Sequence, residues 1–273
     1  MRRVLAGIAL AGIALVPADL VAQAVRAAGA QRRIVIVDAG HGGPDVGMSG
    51  YTSGHIHVYE KDIALAVARK LAARLQNAGV TVVMTRDRDT LIALGDRGRI
   101  ANREQGDLFV SVHVNAANPR WRNPSGARGF ETYFLAEAKT EDERRVAQME
   151  NEASRFDSGD QAPPGGDALG FMLADMQQNE HLRESSDFAT IIQSRLASSH
   201  PGPSRGVKQG GLVVLNTAFM PAVLVEIGFG TNPSEASWLT SSSGQAQIAD
   251  AISKATLDYL ARHERRASGG GAR

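Results

Sequence analysis

Cysteine is missing from this chain. That absence excludes disulfides, thiolate metal sites and a lipidated N-terminal cysteine. Any transition-metal centre must therefore be built from His, Asp and Glu. An excess of one charge is missing too, with 30 Lys and Arg against 29 Asp and Glu, so there is no basic face of the kind a nucleic acid needs. No repeat of fixed period is visible. A membrane-spanning run is also lacking: the apolar stretch 4–16 is too short to cross roughly 30 Å of hydrocarbon at about 1.5 Å per residue.

That stretch has a different reading. Arg2 and Arg3 precede it, and Pro17 and Ala22-Gln23-Ala24 follow it. This is the layout of a secretory signal peptide, residues 1–24, cut after Ala24. The paired arginines leave general and twin-arginine export both open. The mature chain is expected outside the cytoplasmic membrane, in a periplasm or cell-wall space, without a stable membrane anchor. Cleavage removes Arg2, Arg3 and Asp19 and brings the formal charge from +1 to 0. What remains is long enough for one domain with a good core, expected over 25–262 with a disordered tail at 263–273.

The chain is organised around residues 34–60. Four β-branched residues, 34–37, read as a strand buried on both faces. Asp38 ends the run, and Gly40, Gly42 and Gly43 surround His41. Glu60 heads a helical segment, 60–78, with Ile63, Val67, Leu71 and Leu75 on one stripe and Gly79 as its stop. A strand at 80–85, a polar loop, a helix at 92–105 and a strand at 108–112 ending in His113 follow. That alternation is the rhythm of a parallel α/β sheet. Residues 126–135 read as another strand, 143–156 as an amphipathic helix and 157–167 as a Pro/Gly-rich break. Two helical stretches, 169–179 and 186–196, come next. Strands at 211–215 and 222–227, the latter carrying Glu226, and a helix at 246–262 complete the chain.

His41, His113 and Glu226 each fall at the carboxyl end of an expected strand, the edge where open α/β sheets bind ligands. Two histidines and a carboxylate would leave zinc a fourth position for water. A further carboxylate would then serve as base toward that water and acid toward the leaving amine. Glu60 and Glu226 compete for the two carboxylate roles. The fixed position of Glu60 at a helix start favours it as ligand, and burial of Glu226 in an apolar strand favours it as proton carrier; the residues alone leave both open. His55 and His57 could offer two ligands on one strand face, but their polar, glycine-rich surroundings read as a solvated loop. His181, His200 and His263 read as surface residues. Asp38 and Asn115 could orient the ligand histidines. The glycine-rich loop is not a nucleotide site, since Asp45 stands where the dinucleotide fingerprint needs glycine and no Gly-Lys-Ser/Thr follows.

VDAGHGG, the EKDI starting at Glu60, SVHVNA, RGVKQ, MPAVLVEIGF and TNP occur in that order. Together they resemble the zinc-dependent N-acetylmuramoyl-L-alanine amidases over most of residues 34–262. The resemblance implies zinc on His41, Glu60 and His113, and Glu226 as the catalytic glutamate. It implies cleavage of the amide between the lactyl group of N-acetylmuramic acid and L-alanine of the peptidoglycan stem peptide. It further implies an α/β fold, a single domain with a twisted, mostly parallel sheet of about six strands and helices on both faces. Another envelope zinc peptidase, such as a carboxypeptidase, would need a site for a terminal carboxylate. A non-catalytic wall-binding module would more naturally lack Glu226 or a histidine ligand. A monomer is expected. Some members of the resembled family carry an inhibitory helix displaced by a protein activator; the helical insert at about 137–185 is the candidate counterpart here, and its other reading is a permanent wall of the substrate groove. Glu150 and Glu152 are the candidates for a carboxylate that closes the metal's open position.

Overall fold

The computed structural model describes residues 33–156 and 168–269. The expected export signal, 1–24, and the Pro/Gly-rich break, 157–167, lie outside the described residues. In chain order the elements are β1 (Ile34–Ala39), β2 (Ser49–Tyr51), β3 (His57–Tyr59), α1 (Glu60–Asn77), β4 (Thr81–Met84), α2 (Leu94–Arg103) and β5 (Leu108–Asn115). Then come β6 (Phe130–Leu135), α3 (Glu141–Asn151), α4 (Ala168–Ala197), β7 (Ser204–Gly210), α5 (Val213–Asn216), β8 (Ala222–Phe229), α6 (Pro233–Thr240) and α7 (Ser242–Gly269).

Six strands form one sheet in the order β4-β1-β5-β8-β6-β7, and β2 and β3 form a separate hairpin. β4, β1, β5 and β8 are mutually parallel. β6 runs antiparallel to β8, and β7 runs parallel to β6. The expected mostly parallel six-stranded sheet is therefore present. Alternation sorts its side chains into two layers. Val35, Val37, Val110, Val112, Val223 and Val225 pack with α1, α4 and α7. Ile36, Phe109, Tyr133 and Leu224 pack on the other face against α2, α3 and α5. Extending that second parity toward the carboxyl ends of the parallel strands places Asp38, Ser111, His113, Asn115 and Glu226 on one face, all buried.

Several elements differ from expectation. The stretches 169–179 and 186–196 are parts of one 30-residue helix. The polar run between them holds no Gly or Pro, and Ser185 Oγ donates to the His181 carbonyl at 2.6 Å without breaking the turn. The strand expected at 211–215 is the short helix α5, and the edge strand is β7, within RGVKQ. β7 is only half-buried and lacks an apolar run, whereas the apolar VVL of α5 packs into the second core. β6 starts at Phe130, because Pro124–Gly126 forms a 3₁₀ turn and Gly129 has φ +104°. The tail expected to be disordered from 263 continues α7 to Gly269. Ion pairs from His263 to Glu184 (3.2 Å) and Arg266 to Asp187 (3.3 Å) tie it to α4.

Candidate metal centre

His41 stands two residues beyond β1, with φ 58°. A non-glycine residue tolerates that region only under constraint, and two arginines supply it. Arg86 donates to the carbonyls of Ala39 (2.9 Å) and Gly40 (2.6 Å). Arg97, on α2, donates to the carbonyls of Ala39 (2.7 Å) and His41 (2.8 Å) and to Asp38 Oδ1 (2.8 Å). Asp38 also accepts from Thr85 and Ser111 hydroxyls at 2.5 and 2.6 Å. Burial works against that charge, but Arg97 and the hydroxyls outweigh it and hold the carboxyl below the ordinary aspartate range.

Glu60, the first residue of α1, has a buried side chain. Its Oε2 accepts from the Met48 N–H and its Oε1 from the Val114 N–H, both at 2.8 Å. Two glycines leave room for the His113 and Glu60 side chains. A Cβ at Gly40 would come within 2.5 Å of the His113 ring, and one at Gly47 (φ +65°) within 2.5 Å of Glu60 Oε2.

These elements bring four atoms together. His41 Nε2 lies 3.1 Å from Glu60 Oε1 and 3.2 Å from Glu150 Oε2. His113 Nδ1 lies 3.0 Å from Glu60 Oε1 and 2.7 Å from Glu150 Oε2. All four atoms lie within 4.8 Å of one another and all four residues are buried. Zinc bonds of about 2.0–2.1 Å in a tetrahedron put ligand atoms roughly 3.3 Å apart, close to these separations. Apart from these close approaches, His41 Nε2 and both Glu150 oxygens are buried with no hydrogen-bond partner, a donor set that fits a shared cation. Asp45 Oδ2 accepts from His41 Nδ1 at 2.8 Å, which assigns the proton to Nδ1 and turns the Nε2 lone pair to the cluster.

The electrostatics agree. Burial lowers the affinity of both imidazoles for a proton, yet the carboxylates outweigh it. His113 is pushed up to about 9 by Glu150 and Glu60, and His41 rises well above its usual value through Glu60, Asp45 and Glu150. The same positions would attract a metal ion. Glu226 is fully buried, directly across the sheet from His113 on one side and Glu131 on the other. Both its oxygens lack a hydrogen-bond partner. Burial and the nearby Glu150 and Glu60 charges hold its carboxyl well above the ordinary range.

The structure thus brings together His41, Glu60, His113 and Glu150, with Glu226 beside them. Glu152 is exposed and stands apart. His57 lies on the exposed face of β3, stacked on Tyr51 with ring centroids 4.8 Å apart, and His55 is an exposed turn residue with φ 60°. His200 is not a surface residue: it is buried between Phe130 and Trp238. Its Nδ1 accepts from the Gly202 N–H at 2.9 Å and its Nε2 donates to the Ile227 carbonyl at 3.0 Å. Asp38 and Asn115 do not orient the histidines by hydrogen bonds. Asp38 serves Arg97, and Asn115 Nδ2 donates to Glu131 Oε1 at 2.6 Å. Asp45 does the orienting, and its one trace in the sequence is a carboxylate four residues after His41 in the same loop.

Comparison with known proteins agrees with this geometry. A family model described as N-acetylmuramoyl-L-alanine amidase matches residues 35–258. The amidase AmiA of Escherichia coli is 32% identical over 84% of this chain and 76% of its own length. A crystal structure of the N-acetylmuramoyl-L-alanine amidase from Clostridium difficile is 30% identical, with a TM-score of 0.61 over 84% of this chain and 96% of that one. The amidase AmiC2 of Nostoc punctiforme gives 26% identity and a TM-score of 0.60 over 85% and 99% of the two chains. With a buried His/Glu cluster at its sheet edge and a family match spanning nearly the whole described fold, this chain belongs to the N-acetylmuramoyl-L-alanine amidase family.

Proposed function

We propose that this peptidoglycan amidase is a zinc enzyme. His41, Glu60 and His113 hold the ion, and Glu226 carries the proton in cleavage of the lactyl–L-alanine amide. The observation that carries this reading is the convergence of four buried ligand atoms beside an unpartnered buried carboxylate. Zinc, when bound, supplies Lewis acidity and a lowered pKa for an attacking water. The chain's own groups do the rest. Asp45 fixes the His41 tautomer, and the Met48 and Val114 amides fix the Glu60 carboxylate. Glu226, whose affinity for a proton is raised by burial and by the nearby carboxylates, would as a carboxylate accept the proton of the attacking water and deliver it to the L-alanine nitrogen as the C–N bond breaks.

Glu150 Oε2, 3.2 Å from His41 Nε2 and 2.7 Å from His113 Nδ1, would take the ion's remaining position and close the site. With α3 in place, the cavity lined by His41, Asp45, Arg97, His113 and Glu150 offers about 10 Å³, barely room for one water. A peptidoglycan strand does not fit. α3 is therefore an inhibitory helix, released by an activating protein. It is held by a capping box at Thr140 and Glu143, by buried Val146 and Ala147, and by Asn151, whose amide bonds the Gly211 carbonyl (2.8 Å) and the Val213 N–H (2.9 Å). Export to the periplasm or cell wall follows from the substrate and from the N-terminal signal pattern. Among the described residues no helix is long and apolar enough to cross a membrane.

The test is digestion of purified peptidoglycan, with release of stem peptides bearing N-terminal L-alanine read by mass spectrometry. Release is expected from the zinc-loaded chain, more from Glu150→Ala, and none after chelation. Undiminished release by the metal-free protein overturns the zinc reading, and no release from either zinc-loaded form overturns the amidase assignment.

A further inference from the structure

Arg205, second residue of β7, is not used by the chemistry above. Because β6 and β7 run against β8, the amino end of β7 reaches the edge where β8 carries Glu226. Arg205 Nε lies 3.6 Å from Glu131 Oε2, and Glu131 is the cross-strand partner of Glu226. The guanidinium is 5.0 Å from the Phe229 ring centroid and 5.8 Å from that of Trp121. Arg145 of α3 approaches the same indole at 5.6 Å. One carboxylate joins the two arginines: Asp142 Oδ2 accepts from Arg205 Nη2 at 3.3 Å, and its Oδ1 from Arg145 Nε at 3.1 Å. Neither arginine is saturated: Arg205 Nε reaches Glu131 only at 3.6 Å, too long for a hydrogen bond, and Arg145 Nη2 is buried without a hydrogen-bond partner. A guanidinium flanked by aromatic rings and with a spare N–H suits a planar anion.

We propose that Arg205 is the subsite for a carboxylate of the stem peptide, and that Asp142 holds that place while α3 is docked. The inference rests on the amidase reading. Asp142 and Glu150 lie eight residues apart on one helix, roughly 12 Å along its axis. α3 therefore lays one carboxylate on the metal ligands and another on Arg205. Arg205 stands two strands from Glu226, with Glu131 between them, a span of about 9–10 Å at strand spacing that roughly three residues of extended peptide, counting side chains, can bridge. The carboxylate it takes is that of the residue following L-alanine.

The experiment compares N-acetylmuramoyl-L-alanyl-D-glutamate with its α-carboxamide, using the zinc-loaded chain, Arg205→Gln and Asp142→Asn, each with Glu150→Ala to open the site. The parent is expected to favour the free acid at least tenfold in KM. Arg205→Gln raises KM for the acid tenfold or more, with kcat within threefold and the carboxamide unaffected, and Asp142→Asn lowers KM for the acid. Equal treatment of the two substrates by the parent, or equal loss on both in Arg205→Gln, overturns the proposal. If neither ligand is cleaved, the amidase reading is what fails. Calorimetric binding of the same two ligands to the zinc-loaded proteins then decides the subsite: acid preference in the parent and none in Arg205→Gln supports it, and any other pattern overturns it.

Discussion

Replacing Arg97 by Met removes the guanidinium while keeping a side chain of similar length. Arg97 and Asp38 are both buried, paired at 2.8 Å, and Arg97 also holds the carbonyls of Ala39 and His41. Without it, Asp38 keeps only two hydroxyl donors for a charge removed from water. Removing one partner of a buried ion pair costs about 3–5 kcal/mol. For a domain of this size each kcal/mol moves Tm by about 2–4 °C, so the melting temperature of Arg97→Met should fall by about 6–20 °C. Asp38→Asn combined with Arg97→Met should lose clearly less than the two single losses added together, because the orphaned charge is gone. Urea titration and calorimetry of the three variants measure this. A loss below 1 kcal/mol for Arg97→Met, or strict additivity in the double variant, would refute the argument. The variant should also bind metal more weakly, since the His41 carbonyl helps to hold that residue at positive φ.

Glu226→Gln should keep its metal yet lose about 10²–10⁴-fold in kcat, the span of general acid–base catalysis; loss of metal together with rate would place Glu226 among the ligands. His113→Ala should lose bound zinc by elemental analysis, and full stoichiometry in that variant would remove His113 from the site. Glu150→Ala should raise basal peptide release severalfold, and unchanged or lower activity in the folded, zinc-loaded variant would make α3 a permanent groove wall. His200 has its proton affinity lowered by burial, which outweighs its two backbone bonds. Above about pH 6.5 it is neutral in both the folded and unfolded chain and contributes no pH dependence. Below that, the unfolded chain takes up the proton first, so stability falls as pH drops. His200→Gln should flatten this acid limb in denaturant titrations from pH 7 to 5, and an unchanged slope would assign the limb to other groups.

What was legible in the sequence follows from how each residue announces itself. β1, β5 and β8 open on apolar runs because both faces are covered, and a helical stripe marks α1. The three motif residues stand out as polar groups against such runs: His41 follows β1, Glu60 opens α1 and His113 lies late in β5. Glu150 was legible as a carboxylate on an amphipathic insert, but its distance from the histidines is a tertiary fact. β7 carries no such mark because an edge strand needs no apolar run, whereas the apolar VVL of α5 has the look of a strand. Arg86 and Arg97 look like ordinary polar-loop and helix charges, since carbonyl recognition by a buried guanidinium leaves no periodicity. His200 carries no pattern at all, being placed by the Phe130 and Trp238 rings around it.

The four candidate ligand atoms come from a loop after β1, the start of α1, the interior of β5 and the last turn of α3. An ion held by all four would act as a cross-link between α3 and the sheet, so docking of the helix and retention of the metal become one linked equilibrium. Linkage is reciprocal: whatever factor α3 adds to metal affinity, the metal adds to helix docking. A partner that draws α3 away must then weaken the ion's hold by that same factor. Chelation should loosen α3 even with no partner present. The inhibited state would thus double as the storage state of the cofactor, with the active state holding its metal less tightly.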